Sequence, residues 1–140
     1  MLKSIISLKS VTKSDANFLY DLLLEREPTV NISHKKMPTF HRHLQFINSK
    51  PYSKWYIIKK NNEKIGSIYL SKQDEIGIFV KKEFQNEGLG TSAMNILMDK
   101  NPRSRYLANI NPKNLKSTKF FKKSGFKLIQ HTYELTVDEF

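Results

Sequence analysis

Apolar and polar positions alternate along this chain in two different periods, and the switch between them marks out the elements. "IISLKSV", residues 5 to 11, alternates with period two and predicts a short strand. In "TKSDANFLYDLLLEREP", Phe18, Leu19, Leu22 and Leu23 recur at helical spacing, with Ser14 placed as the cap and Pro28 as the stop. After the polar loop "TVNISHKKMP", a second helix is expected from the Thr39 cap, with Phe40, Leu44 and Ile47 on one stripe and Pro51 ending it. "KWYIIKKNNEKIGSIYLS" holds two β-rich runs around Asn61-Asn62-Glu63, a hairpin signal, and "EIGIFV" continues the meander. Ala93, Ile96, Leu97 and Met98 predict a helix ending near Asn101-Pro102. "RYLANIN" reads as a strand, "NLKSTKFFKKSGF" as a helix closed by Gly125, and "FKLIQHTYELTV" as one or two final strands. The order β-α-α-β-β-β-α-β-α-β-β predicts an α/β fold: one domain over residues 1–140, with a mixed, mostly antiparallel sheet of six to seven strands flanked by about four helices.

Composition narrows the function. The chain has 140 residues, 39% of them hydrophobic, which suits one domain with a real core. It has no cysteine, so disulfides, thiolate metal sites and acyl-cysteine chemistry are excluded. No stretch resembles a signal peptide or reaches the roughly 18 apolar residues of a membrane helix, and the expected location is cytoplasmic. The net charge of +11 attracts anions. Lysine dominates it, with arginine only at Arg26, Arg42, Arg103 and Arg105, which disfavours base-reading of nucleic acid and leaves nucleotide cofactors and phosphorylated substrates.

Gly88-Leu89-Gly90-Thr91-Ser92-Ala93 satisfies the dinucleotide pattern G-x-G-x-x-G/A. Its context does not. "KKEFQNE" separates Val80 from Gly88, where a Rossmann turn follows its strand closely, and "PRSRYLANINP" offers no acid for a ribose. No Gly-Lys-Ser/Thr follows for a P-loop. What remains is Gln85-Asn86-Glu87-Gly88-Leu89-Gly90, a loop of backbone amides running into a helix N-terminus, suited to a phosphate anion.

Together with "EIGIFV" before it and "NPKNLKSTKFFKKSGFKLI" after it, this loop resembles the GCN5-related N-acetyltransferase (GNAT) superfamily, with its Q-x-x-G-x-G and N-x-x-S…K-x-G-F motifs. The resemblance implies an N-acyltransferase that moves an acetyl group from acetyl-CoA to a primary amine without a metal. It implies amides from Gln85, Asn86, Glu87, Gly88, Leu89, Gly90 and Thr91 for the pyrophosphate. The backbone of Ile78, Phe79 and Val80 would take the pantetheine arm, with Asn114, Ser117 and Phe121 on its far side. Lys81, Lys82 and Lys119 would add charge near the cofactor or form a solvated face. Homodimers are common in that superfamily.

The chemistry asks for a base, because an amine attacks only when neutral, and for a donor to the oxygen that gains charge. Glu75, at the start of the strand, is the expected base, with Asp74 as its rival, and an amide near Phe79 or Val80 the expected donor. The superfamily's usual acid is a tyrosine at the position of Phe121, which cannot donate a proton; Tyr133 or a water would replace it, unless the thiolate leaves unaided. His34 and His43, in the segment where the superfamily builds its acceptor wall, are candidate substrate residues, whereas His41 and His131 read as surface. A loose match of the second helix to enzymes acetylating nucleotide-linked amino sugars agrees with the basic charge and points to a small, anionic amine. The alternatives are a protein N-terminal or ribosomal-protein acetyltransferase, and a non-catalytic domain binding CoA or nucleic acid.

Overall fold

A computed structural model of the chain describes residues 5–26 and 37–137. Its sheet has four strands in sequence order, each antiparallel to the next: β1 Ile6–Ser10, β2 Lys54–Lys60, β3 Glu63–Leu70 and β4 Ile76–Val80. The β2–β3 turn places Asn61 and Asn62 at φ 50° and 74°, the left-handed pair of a tight hairpin that asparagine tolerates. Ile65 has no partner where Ile58 faces Gly66 and Lys59 faces Lys64. This bulge lets Ile65 and Ile68 point to the same face, which strict alternation would forbid.

Four helices cover the two faces. α1 (Ala16–Glu25) and α2 (Phe40–Asn48) bury Ala16, Leu19, Leu22 and Ile47 against Ile57, with Trp55 and Phe79 at the margin. α3 (Leu89–Lys100) and α4 (Leu115–Lys123) bury Leu89, Ala93, Met94, Leu97 and Phe121 against Tyr56, Ile58, Ile68, Leu70 and Ile76. Thr39 caps α2 as expected, its hydroxyl accepting from the Arg42 amide at 3.2 Å. The entry to α1 differs from the expectation at Ser14. A 3-10 turn over Lys13–Asp15 comes first, and the Asp15 carboxylate accepts the Thr12 amide at 2.8 Å. Asp15 is fully buried, and it also takes Lys64 Nζ at 2.7 Å and Lys9 Nζ at 3.0 Å. Gly125 at φ +99° ends α4 as predicted, and the Phe126 amide returns to the Phe121 carbonyl at 2.9 Å.

The two or three strands expected after β4 are not present among the described residues, so the sheet has four strands rather than six to seven. "RYLANIN" touches β4 at a single parallel bridge, Glu75 with Leu107, where Ile76 donates to the Leu107 carbonyl at 2.7 Å. Residues 127–137 form no regular element. The physical reason is shared: alternation predicts a face, but a strand exists only when its backbone is paired. Among the described residues no helix is long and apolar enough to cross a membrane.

Candidate active site

β4 and the segment 105–111 are joined at the Glu75–Leu107 bridge and form no further ladder among the described residues, and the candidate site lies along that unpaired stretch of β4. Alternation decides which groups face outward there. The Ile76 amide points toward Leu107, and the Lys81 amide points the other way, into β3 at the Ile65 carbonyl. By the same parity Ile78 and Val80 present their backbone on the unpaired side, while the Phe79 amide turns toward β3. The strand edge expected to receive an extended ligand is therefore supplied by Ile78 and Val80. The Val80 carbonyl is already claimed by Gln85 Nε2 at 2.8 Å, which ties the following loop to the end of the strand.

That loop has the backbone geometry of an anion cradle. Asn86 and Gly88 both take left-handed backbone, at φ 67° and 76°. Gly88 then starts α3, whose first internal bond is Ser92 to the Gly88 carbonyl. None of the amides from Asn86 to Thr91 donates to another described residue. A Cβ on Gly88 would meet nothing within 4 Å, so the space before the amides is open. Gly90 is more confined, with Phe120 Cε1 3.3 Å and Ile78 Cδ1 3.6 Å from where its Cβ would stand. These amides and the positive end of α3 fit a phosphate group. The nearby cations are partly answered already: Lys81 pairs with Glu83 at 3.1 Å and Lys60 with Glu87 at 3.2 Å. The Glu83 contact raises the Lys81 pKa, so its ammonium stays charged.

Beyond the segment 105–111, Asn114 caps α4, its side-chain oxygen accepting the Ser117 amide at 3.1 Å. Its helix-capping role uses the oxygen only. Phe121, expected to face the cofactor, is instead buried in the core edge-on to Phe120 and Phe126. Its neighbour Phe120 is the ring that lies against Gly90.

Glu75 stands at the bridge with both carboxylate oxygens held. Ser71 Oγ donates to Oε1 at 2.9 Å, and Asn109 Nδ2 donates to Oε2. A carboxylate has about four acceptor positions, so this pair orients Glu75 and still leaves it able to take a proton. Asp74, its rival, is bound to Arg103 Nε at 2.9 Å.

Glu75, Gly77 and Phe79 share the face covered by α1 and α2, and an aromatic wall stands there. A Cβ on Gly77 would fall 2.1 Å from Tyr69 Cζ, so the glycine is what admits the Tyr69 ring. Tyr52 stacks on Tyr69 with centroids 3.8 Å apart, and Trp55 and Phe46 extend the wall edge-to-face. The Arg26 guanidinium lies 5.9 Å over the Phe79 ring. Burial raises both tyrosine pKa values, opposed by Arg26, and the nearby Glu75 charge raises that of Tyr69 further. Both phenols are neutral donors at physiological pH.

The remaining expected residues are placed elsewhere. His43 is 5% exposed, packed between Tyr20 and Phe40, and burial lowers its pKa. It belongs to the α1–α2 packing and is not brought to Glu75. His34 lies outside the described residues. Tyr133 is 89% exposed, with His131 as its ring neighbour, and is not brought to Glu75 either. Sequence reasoning missed Ser71, Asn109, Arg26 and Tyr52. The available signal was register: the hairpin pairs Tyr69 with Gly77, which fixes the face that Glu75 shares. Among the described residues there is no group of three potential metal ligands.

A family model described as the acetyltransferase (GNAT) family matches residues 16–126. Solved structures of the same fold include a domain from Methanocaldococcus jannaschii DSM 2661, 22% identical, covering 94% of each chain, TM-score 0.80. They also include a putative acetyltransferase from Salmonella typhimurium with its cofactor acetyl-CoA, 15% identical over 96% of this chain and 87% of that one, TM-score 0.73. A Salmonella typhimurium enzyme that modifies the N-terminal serine of a 50S ribosomal subunit protein is 19% identical over 89% of this chain and 84% of that one, TM-score 0.66. No curated protein matches this chain.

Proposed function

From the premise that the chain belongs to the acetyltransferase (GNAT) family, we propose that it is an acetyl-CoA-dependent N-acetyltransferase acting on a small amine that carries an anionic group. The observation that carries this reading is the unpaired stretch of β4 beside the segment 105–111, flanked by free amides at one end and Glu75 at the other. The amides from Asn86 to Thr91 would hold the pyrophosphate of CoA, and the outward backbone of Ile78 and Val80 would align its arm. Bound acetyl-CoA supplies a thioester whose carbonyl carbon the amine attacks, with the thiolate leaving. The chain's part is to remove a proton and to steady charge. Glu75, held by Ser71 and Asn109, accepts the proton from the amine directly or through a water. The outward amide of Ile78 or Val80 donates to the oxygen that gains charge.

The leaving thiolate receives no proton from Phe121, which has none to give, and Tyr133 stands in solvent. Departure without a side-chain acid is the reading this favours. Acceptor choice rests on the wall of Tyr52, Tyr69 and Phe79 with Arg26 above it. A cation over a flat aromatic surface suits a planar or phosphorylated acceptor, such as a nucleotide-linked amino sugar, and repels polyamines.

Titration calorimetry with acetyl-CoA, followed by thiol release across a panel of amines, tests both halves. Micromolar acetyl-CoA binding with turnover of anionic amines, and none of spermidine, is expected. Absence of binding at millimolar acetyl-CoA overturns the enzyme. Turnover of ribosomal N-terminal peptides in preference to anionic small amines would place the chain instead with protein acetyltransferases, like the Salmonella enzyme above.

A further inference from the structure

We infer, given the function proposed above, that Tyr69 selects the acceptor: its hydroxyl donates to an oxygen on the carbon beside the one that bears the amine. Register brings the phenol to the site. Tyr69 on β3 stands opposite Gly77 on β4. A Cβ on Gly77 would fall 2.4 Å from the Tyr69 hydroxyl oxygen, so the tip of the phenol rests on β4 itself. Tyr52 stacks on the ring within 4° of parallel, and Trp55 stands edge-on to Tyr52. The ring is held in place, and its hydroxyl with it.

That hydroxyl has a proton to give. Tyr69 is half-buried. Burial raises the pKa of both phenols, so both keep their protons. The bond between them raises the pKa of Tyr52 and lowers that of Tyr69, which makes Tyr52 the donor and Tyr69 the acceptor. The Tyr69 proton then has no acceptor among the described residues. A half-buried donor without a partner costs free energy, and a ligand oxygen that supplies the partner recovers it.

Three groups line up along one face of β4. Glu75 comes first, the Tyr69 hydroxyl at Gly77 second, and the Arg26 guanidinium over the Phe79 ring third. Tyr69 feels the charge on both sides, Arg26 lowering its pKa and Glu75 raising it. Alternate residues of a strand stand about 7 Å apart, so the row spans about 14 Å. With about 3 Å for the hydrogen bond at each end, the ligand itself spans about 8 Å. A proton acceptor, a neutral donor and a cation in that order read a ligand of matching order. Its amine lies at Glu75, a hydroxyl beside the amine lies at Tyr69, and an anionic group lies beyond at Arg26. The acceptor class is therefore a short hydroxylated amine with an anionic far end.

Two amines that differ by a single hydroxyl test this: 3-amino-2-hydroxypropyl phosphate and 3-aminopropyl phosphate, compared by thiol release at saturating acetyl-CoA. A site built to bond a hydroxyl rejects the analogue that lacks it, because its own donor is then left unpaired. The parent should prefer the hydroxylated amine at least tenfold in kcat/KM. Tyr69→Phe keeps the ring and its stack and removes the donor, so the two amines should then react within twofold of each other. A parent without the preference overturns the inference and leaves acetyl transfer standing. So does a Tyr69→Phe enzyme that slows on both amines and keeps their ratio, because the hydroxyl then serves packing or the reaction step and not selection. A parent that binds acetyl-CoA and turns over neither amine overturns the anionic-acceptor reading together with the role of Tyr69.

Discussion

Two carboxylates in this chain are held by hydrogen bonds for opposite purposes. Asp15 is sealed in. Burial alone would raise its pKa, but the Lys64 ammonium, the Thr12 amide and Lys9 outweigh that and hold it at about 2, against 3.8 for an ordinary aspartate. A depressed carboxylate stabilises the fold above its unfolded pKa, and that contribution is lost as pH falls through the folded value, here between about 4 and about 2. At about 1.4 kcal/mol per unit this is about 2 kcal/mol. Denaturant titrations at pH 6 and pH 2 should therefore differ by about 2 kcal/mol less in Asp15→Asn than in the parent, and the variant should be weaker at pH 7 by about 2–4 kcal/mol, because it leaves Lys64 and Lys9 without their charge partner. Glu75 is held but accessible. Glu75→Gln keeps the side chain's size and one of its two acceptors for Ser71 and Asn109 and removes the ability to accept a proton, so kcat/KM should fall about 10²–10⁴-fold with acetyl-CoA affinity unchanged. Calorimetry beside steady-state rates separates the two; equal turnover across pH would remove Glu75 from the base role. Neither partner set could be read in advance, because Asp15 and Glu75 look alike in sequence and differ only in what the fold brings to them.

Between elements, the sheet works through close approaches that glycine allows. Gly77→Ala would press a methyl group into the Tyr69 ring, which must then leave its stack on Tyr52. Repacking of this kind costs about 1–3 kcal/mol. The proposed acceptor wall should suffer more than the proposed cofactor cradle, so the expected signature is a several-fold rise in acceptor KM with acetyl-CoA KM nearly constant, measured by varying each substrate in turn. The hairpin, the Thr39 cap, the Gly125 stop and the glycine loop were all legible in the sequence, because each is a local rule satisfied by neighbours in the chain. The strand expected at "RYLANIN" was legible only as a face. Its apolar residues do pack on the core, but whether its backbone joins a ladder depends on neighbours that local pattern cannot name. Phe121 shows the same limit: the motif located the helix turn correctly, yet whether the ring met a cofactor or the core depended on Phe120 and Phe126 packing around it.

At the scale of the whole molecule, the charge of +11 acts as a field and not as a set of contacts. The cradle's amides are neutral, and two of the lysines beside it already pair with Glu83 and Glu87. Removing one such lysine should therefore change little: Lys81→Ala should raise the KM for acetyl-CoA less than about twofold, in keeping with the small worth of exposed pairs. The summed field is a different matter. Its reach is about 10 Å at 0.1 M salt and about 3 Å at 1 M. Raising salt from about 50 mM to about 500 mM should then raise the KM for acetyl-CoA severalfold while leaving kcat nearly constant, since the proposed reaction takes place beside Glu75 and away from the phosphates. A donor lacking the phosphates, S-acetylpantetheine, supplies the control. It should bind more weakly at every salt concentration and lose almost all of the salt dependence. An equal salt response from both donors would mean that the field steers the acceptor instead, through Arg26 and the aromatic wall, and varying acceptor concentration at fixed donor would show the salt effect moving to that substrate's KM.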